Sequence, residues 1–266
     1  MIKPFDNAVA ASRAVLIEAM GVLGRLHSHL VIIGGWVPEL QIPGKGHPGS
    51  LDVDLAVDTR SLPPGPYSTI RRCLVDAGYQ QGNMPSVFLR QIPGTSGPFQ
   101  VKLDLVCAEP ATAMEPETGL RVQDLMIHPL RGIGIALDSC DEVRIDGERP
   151  DGASDAVVAR IATLEAFICM KAFAMAERRK PKDAYDVYFC LRHRNLDQLS
   201  TAINLISSQS IVREAIDVLA DKFRTINHAG PIDAATVAQE HGDDYEQSRR
   251  GAFELMQLLL ERIKNV

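Results

Sequence analysis

The sequence predicts an α+β fold: a small mixed sheet with helices in its N-terminal part, followed by a helical C-terminal part. Three observations carry this expectation. The apolar run Val31-Ile32-Ile33 ends in Gly34-Gly35, which reads as a buried strand turning sharply into a helix. Strictly alternating Ser50-Leu51-Asp52-Val53-Asp54-Leu55 reads as a second strand, with Leu51, Val53 and Leu55 on one face and Asp52 and Asp54 on the other. Beyond Thr163 the pattern turns helical to the C-terminus. The Asp-Gly turn region at 151–155 is the expected boundary, giving domains of 1–153 and 154–266.

In chain order, residues 7–29 read as an amphipathic helix, with Val9, Val15, Leu16, Met20, Leu23 and Leu26 as its buried stripe. The Gly-Gly strand and a short helix holding Trp36 follow. Residues 42–49 form a loop rich in proline and glycine, read as a solvated tip carrying Lys45 and His47. A breaker run at 61–66 precedes a helix expected over 67–78. Val87–Ile92 and Phe99–Val106 bracket the turn residues Pro93–Pro98 as a hairpin, with Lys102 and Asp104 on the face opposite Val101, Leu103 and Leu105. Residues 123–137 are expected as helix, 138–145 as the approach to a strand, and 156–161 as a last strand. Thr163 is the expected N-cap of a helix over 164–178, and Pro181 opens the next. Residues 197–225 and 244–265 each read as one amphipathic helix.

Composition bounds the function. An apolar content of 45% and a charged content of 23% are ordinary for a soluble globular protein. A net charge of -6 argues against a strongly basic nucleic-acid platform. The five cysteines are odd in number and scattered, the pattern of reduced thiols in a cytoplasmic protein, with neither a disulfide framework nor a zinc site. Neither a signal peptide nor a membrane-spanning run is expected.

The chemistry is carried by carboxylates and glycines. Two carboxylates on one face of a strand repel each other, and a bound divalent cation is the simplest reason to keep them. Glycines between a strand and a helix let backbone N–H groups approach an anion closely. Asp104, on a neighbouring strand, supplies a third carboxylate. In the helical part, Lys171 interrupts an apolar helix between Phe167 and Met175, so its ammonium needs either an anion or a route to the surface.

Together, the Gly34-Gly35 turn and the Asp52-Val53-Asp54 strand resemble the nucleotidyltransferase superfamily. The stretch from Leu164 through Lys171 and Arg178 to Lys182-Asp183 and Asp186 resembles the AbiEii/AbiGii-type nucleotidyltransferase toxins, relatives of the minimal nucleotidyltransferases. The resemblance covers roughly residues 28–192. It implies a nucleotidyltransferase core whose active-site cleft is completed by the helical domain. It further implies a nucleoside triphosphate as substrate and a two-metal Mg2+ site on Asp52, Asp54 and Asp104. Gly34, Gly35, Ser50, Lys171 and Lys182 would bind the nucleotide, and Lys171 and Asp183 would join the three aspartates in catalysis. The family commonly has an arginine two residues before the serine; Pro48 stands there in this chain. The implied acceptor is a hydroxyl of an RNA, notably a tRNA, or of a protein. The implied setting is a toxin–antitoxin or phage-defence system with a cognate antitoxin. A nucleotidyltransferase acting on a small molecule such as an aminoglycoside shares the glycine and aspartate motifs without needing Lys171, Lys182 and Asp183. A non-catalytic nucleotide-binding relative is the third reading.

Overall fold

The computed structural model describes residues 4–62, 69–109 and 119–264. Residues 63–66 of the breaker run and the first two residues of the helix expected at 67–78 lie outside them. The fold is mixed α/β with a helical C-terminal region, as the sequence predicts, and the chain divides into two compact units. One comprises residues 1–40 and 49–162; the other comprises residues 41–48 and 163–266.

In the first unit, α1 (Ala8–Val22) starts at Asn7, whose side chain accepts from the Ala10 N–H. A 3-10 turn over Gly24–His29 replaces the last part of the expected helix, because Gly24 lacks the side chain and the propensity to extend it. Then come β1 (Leu30–Ile33), α2 (Trp36–Gln41), β2 (Val53–Val57) and α3 (Ile70–Asp76), the last capped by the Thr69 hydroxyl accepting from the Arg72 N–H. β3 (Gln80–Gln81), β4 (Val87–Ile92) and β5 (Phe99–Ala108) build the expected hairpin and its short extension. β6 (Leu120–Val122), β7 (Leu125–Leu130), α4 (Ile133–Asp138), β8 (Cys140–Glu148) and β9 (Ser154–Ala162) complete the unit.

The sheet is larger than expected, with nine strands among the described residues. Its order is β3-β4-β5-β2-β1-β9-β8, with β7 paired to β5 and β6 to β7. β1 runs antiparallel to β2 but parallel to β9, and β2 runs parallel to β5. The helix expected over 123–137 is instead β7 followed by α4. Pro129 cannot donate within a helix, and it sits opposite Cys107 in a strand pair; Gly132, at φ 81°, then starts the short helix afresh. The expected boundary at 153/154 precedes β9, which pairing with β8 and β1 holds in the first unit. Val101, Leu103 and Leu105 are buried on one face of β5, and Trp36, fully buried, donates its indole N–H to the Ser12 hydroxyl at 3.3 Å.

The second unit holds α5 (Leu164–Glu177), α6 (Pro181–His193), α7 (Leu196–Ile206), α8 (Ser210–Lys222), α9 (Ala229–Glu240) and α10 (Tyr245–Lys264). Thr163 occupies the cap position of α5 as expected, yet its hydroxyl makes no capping bond. The single helix expected over 197–225 breaks at 207–209. The Ser207 hydroxyl there donates to the Asn204 carbonyl, and Arg213 donates to the carbonyls of Ser207 and Ser208, so both serines serve a turn. α9 has no counterpart in the sequence reading; its small residues Gly230, Ala234, Ala235 and Ala238 are buried and give little periodic signal. No helix among the described residues is long and apolar enough to cross a membrane.

Candidate active site

Within the first unit, strand register brings the predicted carboxylates together. Asp54 stands directly opposite Asp104 in the parallel β2–β5 pair, and opposite Ile33 at the end of β1. Directly opposed side chains on one sheet face have Cβ atoms about 4.5–5.5 Å apart in an antiparallel pair, and adjacent parallel strands share that short reach. Asp52 lies just before β2. The Lys102 ammonium sits 2.6 Å from Asp104 Oδ2 and 3.8 Å from Asp52 Oδ2, and so stands between two of the three predicted metal ligands. Burial alone would lower its pKa, but the hydrogen bond to Asp104 and the charges of Asp104, Asp52 and Asp54 raise it. The sequence shows Lys102 on the aspartate face; that it reaches Asp52 needed the fold.

Gly34 is explained by the same carboxylates. Its φ of 71° is left-handed, and a Cβ built there would overlap Asp54 Oδ2. Glycine at this turn therefore lets a carboxylate lie against the backbone. Gly35 is buried beside it, and the Ser50 hydroxyl accepts weakly from the Asp52 N–H at 3.4 Å.

Among the described residues, no group of three or more His, Cys, Asp or Glu side chains is gathered closely enough to hold a metal ion. Asp52, Asp54 and Asp104 are thus neighbours without forming a ready-made triad, and Lys102 supplies positive charge among them. Magnesium nevertheless suits what is present. Asp104 Oδ1 is buried and accepts no hydrogen bond among the described residues, and the neighbouring donors are hard carboxylate oxygens.

The second unit gathers Lys171, Lys182 and Asp183 into one buried network. The Lys171 ammonium lies 2.6 Å from Asp183 Oδ1 and 2.8 Å from Asp186 Oδ2. Lys182, one helical turn before Asp186, reaches its Oδ1 at 2.8 Å, and Arg178 reaches Asp183 Oδ2 at 3.0 Å. The i,i+3 spacing of Asp183 and Asp186 puts both on one side of α6, facing Lys171 on α5. Burial alone would raise both carboxyls, but Lys171 holds them below their ordinary range, with Arg178 acting on Asp183 and Lys182 on Asp186. Burial alone would lower the Lys171 pKa, but the two aspartates raise it, so all three groups stay charged.

His47 corrects the sequence reading. Its side chain is fully buried, donating from Nε2 to Asp186 Oδ1 at 3.0 Å, with its ring edge-on to Phe189 at 4.8 Å. Burial lowers its pKa more than the bond to Asp186 raises it, so the imidazole is held neutral. Only Lys45 of that loop pair is exposed. Asp186, Arg178 and His47 were absent from the predicted site; helical spacing signals the first, while a lone histidine in a glycine-rich loop signals nothing.

Residues 141–234, the stretch that contains this network apart from His47, match the family described as nucleotidyl transferase AbiEii toxin, type IV toxin–antitoxin system. The class that this family's description names, nucleotidyl transferase, is the one the sequence resemblance implies. The AbiEii match begins beyond Gly34, Asp52, Asp54 and Asp104, so those positions rest on their own geometry and motif. Two solved structures are similar over nearly the whole length. JHP933 from Helicobacter pylori is 14% identical with a TM-score of 0.46, covering 95% of this chain and 94% of that one. A candidate nucleotidyltransferase from H. pylori has the same identity and TM-score, covering 95% of this chain and 97% of that one. A search of the curated proteins finds no match.

Proposed function

We propose that this AbiEii-type chain transfers a nucleoside monophosphate from a nucleoside triphosphate to an acceptor hydroxyl, with Mg2+ as cofactor, as the toxin of a toxin–antitoxin pair. The observation that carries the proposal is the register of Asp54 against Asp104 beside the Gly34 turn, with one Asp104 oxygen unpartnered. Asp52, Asp54 and Asp104 would hold the metal, which when bound supplies charge neutralisation to the triphosphate and acidifies the acceptor hydroxyl. The absence of a side chain at Gly34 leaves room for the Asp54 carboxylate to lie against the backbone. Lys102 balances Asp52 and Asp104 and limits their repulsion. The acceptor oxygen bonds to the α-phosphorus, the bond from that phosphorus to the bridging oxygen breaks, and pyrophosphate leaves while the hydroxyl proton passes to solvent. Gly35, Ser50, Lys171 and Lys182 are proposed to bind nucleotide and Asp183 to organise Lys171. The support for Asp183 is its 2.6 Å contact with Lys171.

The test is incubation of the purified chain with each radiolabelled nucleoside triphosphate and Mg2+, with either total tRNA or an aminoglycoside panel as acceptor. Label moving to tRNA supports the proposal. Label moving only to an aminoglycoside replaces it with the small-molecule reading, and triphosphate binding without transfer replaces it with the non-catalytic one.

A further inference from the structure

Four charged side chains share one face of β2 and β5 and its approach, and they fall into two unlike rows. Asp54 is level with Asp104 in the parallel pair, so that row holds two carboxylates. Carried back two residues along each strand, the same register puts Asp52 level with Lys102, and side chains two apart in a strand stay on one face. The second row is therefore an acid beside a base, 3.8 Å apart. The Lys102 ammonium also reaches along β5 to Asp104 Oδ2 at 2.6 Å, while the buried Asp104 Oδ1 has no hydrogen-bond partner among the described residues. The two oxygens of Asp104 are thus divided, one serving the lysine and the other left over. Lys102 and Asp104 line a cavity of about 450 Å³, and Lys102 and Asp52 are both partly exposed, so ions from solvent reach this face.

We propose that the three aspartates hold one divalent cation and that the Lys102 ammonium stands in for a second, which fixes the count of ions at one per chain. The inference rests on the nucleotidyltransferase reading above and concerns how many ions its site takes. Charge sets the count. Three carboxylates and one ammonium leave two negative charges, which a single divalent ion cancels; a second ion would leave the cluster positive and would be repelled by the ammonium already there. Geometry sets the place. The ammonium lies between Asp52 and Asp104, so an ion bridging those two would find both engaged. Magnesium demands a near-ideal octahedral shell, whereas an ammonium only donates, and it can bridge oxygens at distances as unequal as 2.6 and 3.8 Å. An ordinary surface ion pair would not account for a buried carboxylate oxygen left without a donor beside it. That hard oxygen suits the one ion the remaining charge calls for. Lys102 is accordingly a positioning residue, acting through Asp52 and Asp104.

The experiment counts ions and leaves the aspartates untouched. Mn2+ is titrated into the purified chain alone, then into the chain in excess over an α,β-methylene nucleoside triphosphate, and free Mn2+ is read by electron paramagnetic resonance. The native chain is compared with Lys102→Met, Lys102→Gln and Lys102→Arg. The expected result is one Mn2+ per native chain in both titrations, and one in Lys102→Arg, which keeps the charge. Lys102→Met and Lys102→Gln should each bind two, the first of them at least about tenfold more tightly because no cation opposes it. A merely structural lysine would not change the count when replaced. Two ions on the native chain in either titration overturn the inference and leave the enzyme reading standing. A count that stays at one in both neutral variants overturns it as well, as does a second ion in Lys102→Arg. Failure of the native chain to bind either Mn2+ or the triphosphate analogue would instead defeat the underlying reading. Should Lys102→Met fail to fold, circular dichroism shows it and Lys102→Gln reads the same outcome.

Discussion

Replacing Lys171 by methionine separates pairing from catalysis. The substitution keeps the length of the side chain and removes one ammonium from contacts at 2.6 Å to Asp183 and 2.8 Å to Asp186. Removing one partner of a buried ion pair costs about 3–5 kcal/mol when the other charge is left uncompensated. Neither aspartate is left so here. Asp183 keeps Arg178 at 3.0 Å, and Asp186 keeps Lys182 at 2.8 Å and His47 at 3.0 Å. The cost should fall below that range, at about 2 kcal/mol, close to the worth of one charged hydrogen bond. For a chain of this size that lowers the melting temperature by roughly 4–8 °C. If Lys171 also meets a phosphate during transfer, losing that preorganised charge costs on the order of 10²–10³ in rate. Differential scanning calorimetry and a radiolabel transfer assay on one preparation read the two effects. A lowered melting temperature with native transfer would refute the phosphate role and leave Lys171 as a structural ion pair. An unfolded variant would refute the redundancy of the network.

Gly34→Ala should lose transfer and also stability, since left-handed backbone costs a non-glycine residue about 1–2 kcal/mol and the Cβ must displace Asp54; a native melting curve would mean the turn relaxes freely. Asp54→Asn and Asp104→Asn should abolish transfer while changing stability by less than about 1 kcal/mol, because Asp104 is part of a partly exposed ion pair. Urea denaturation showing cooperative folding lost in both would make these aspartates structural. Stability should also depend on acid. Asp183 and Asp186 titrate below their ordinary value of 3.8 in the folded chain, so their contribution is complete above that value and is lost as pH falls through it toward the folded values. His47 adds in the same direction at higher pH. Its lowered pKa favours the neutral form in the fold, so protonation below about 6.5 draws toward the unfolded chain. Denaturation midpoints measured from pH 8 to pH 3 should fall in both windows, and His47→Gln should remove the upper one.

The sequence determined by itself what depends on local pattern. Alternation fixed which face of β2 and β5 carries Asp52, Asp54, Lys102 and Asp104, because side chains in a strand repeat every two residues. Helical spacing placed Lys171, Asp183 and Asp186 on α5 and α6, and Pro181 marked where α6 starts. Only the tertiary structure decided which strands lie side by side. Asp104 is fifty residues from Asp54 in the chain and faces it because β2 and β5 pair in parallel, an alignment no local period encodes. The same holds for β7, where pairing to β5 overrode an apolar stretch that reads as helix. His47 is the sharpest case: a polar residue in a glycine-rich loop has every local mark of exposure. It is buried because a carboxylate 139 residues away, already sharing two lysines, accepts its one N–H.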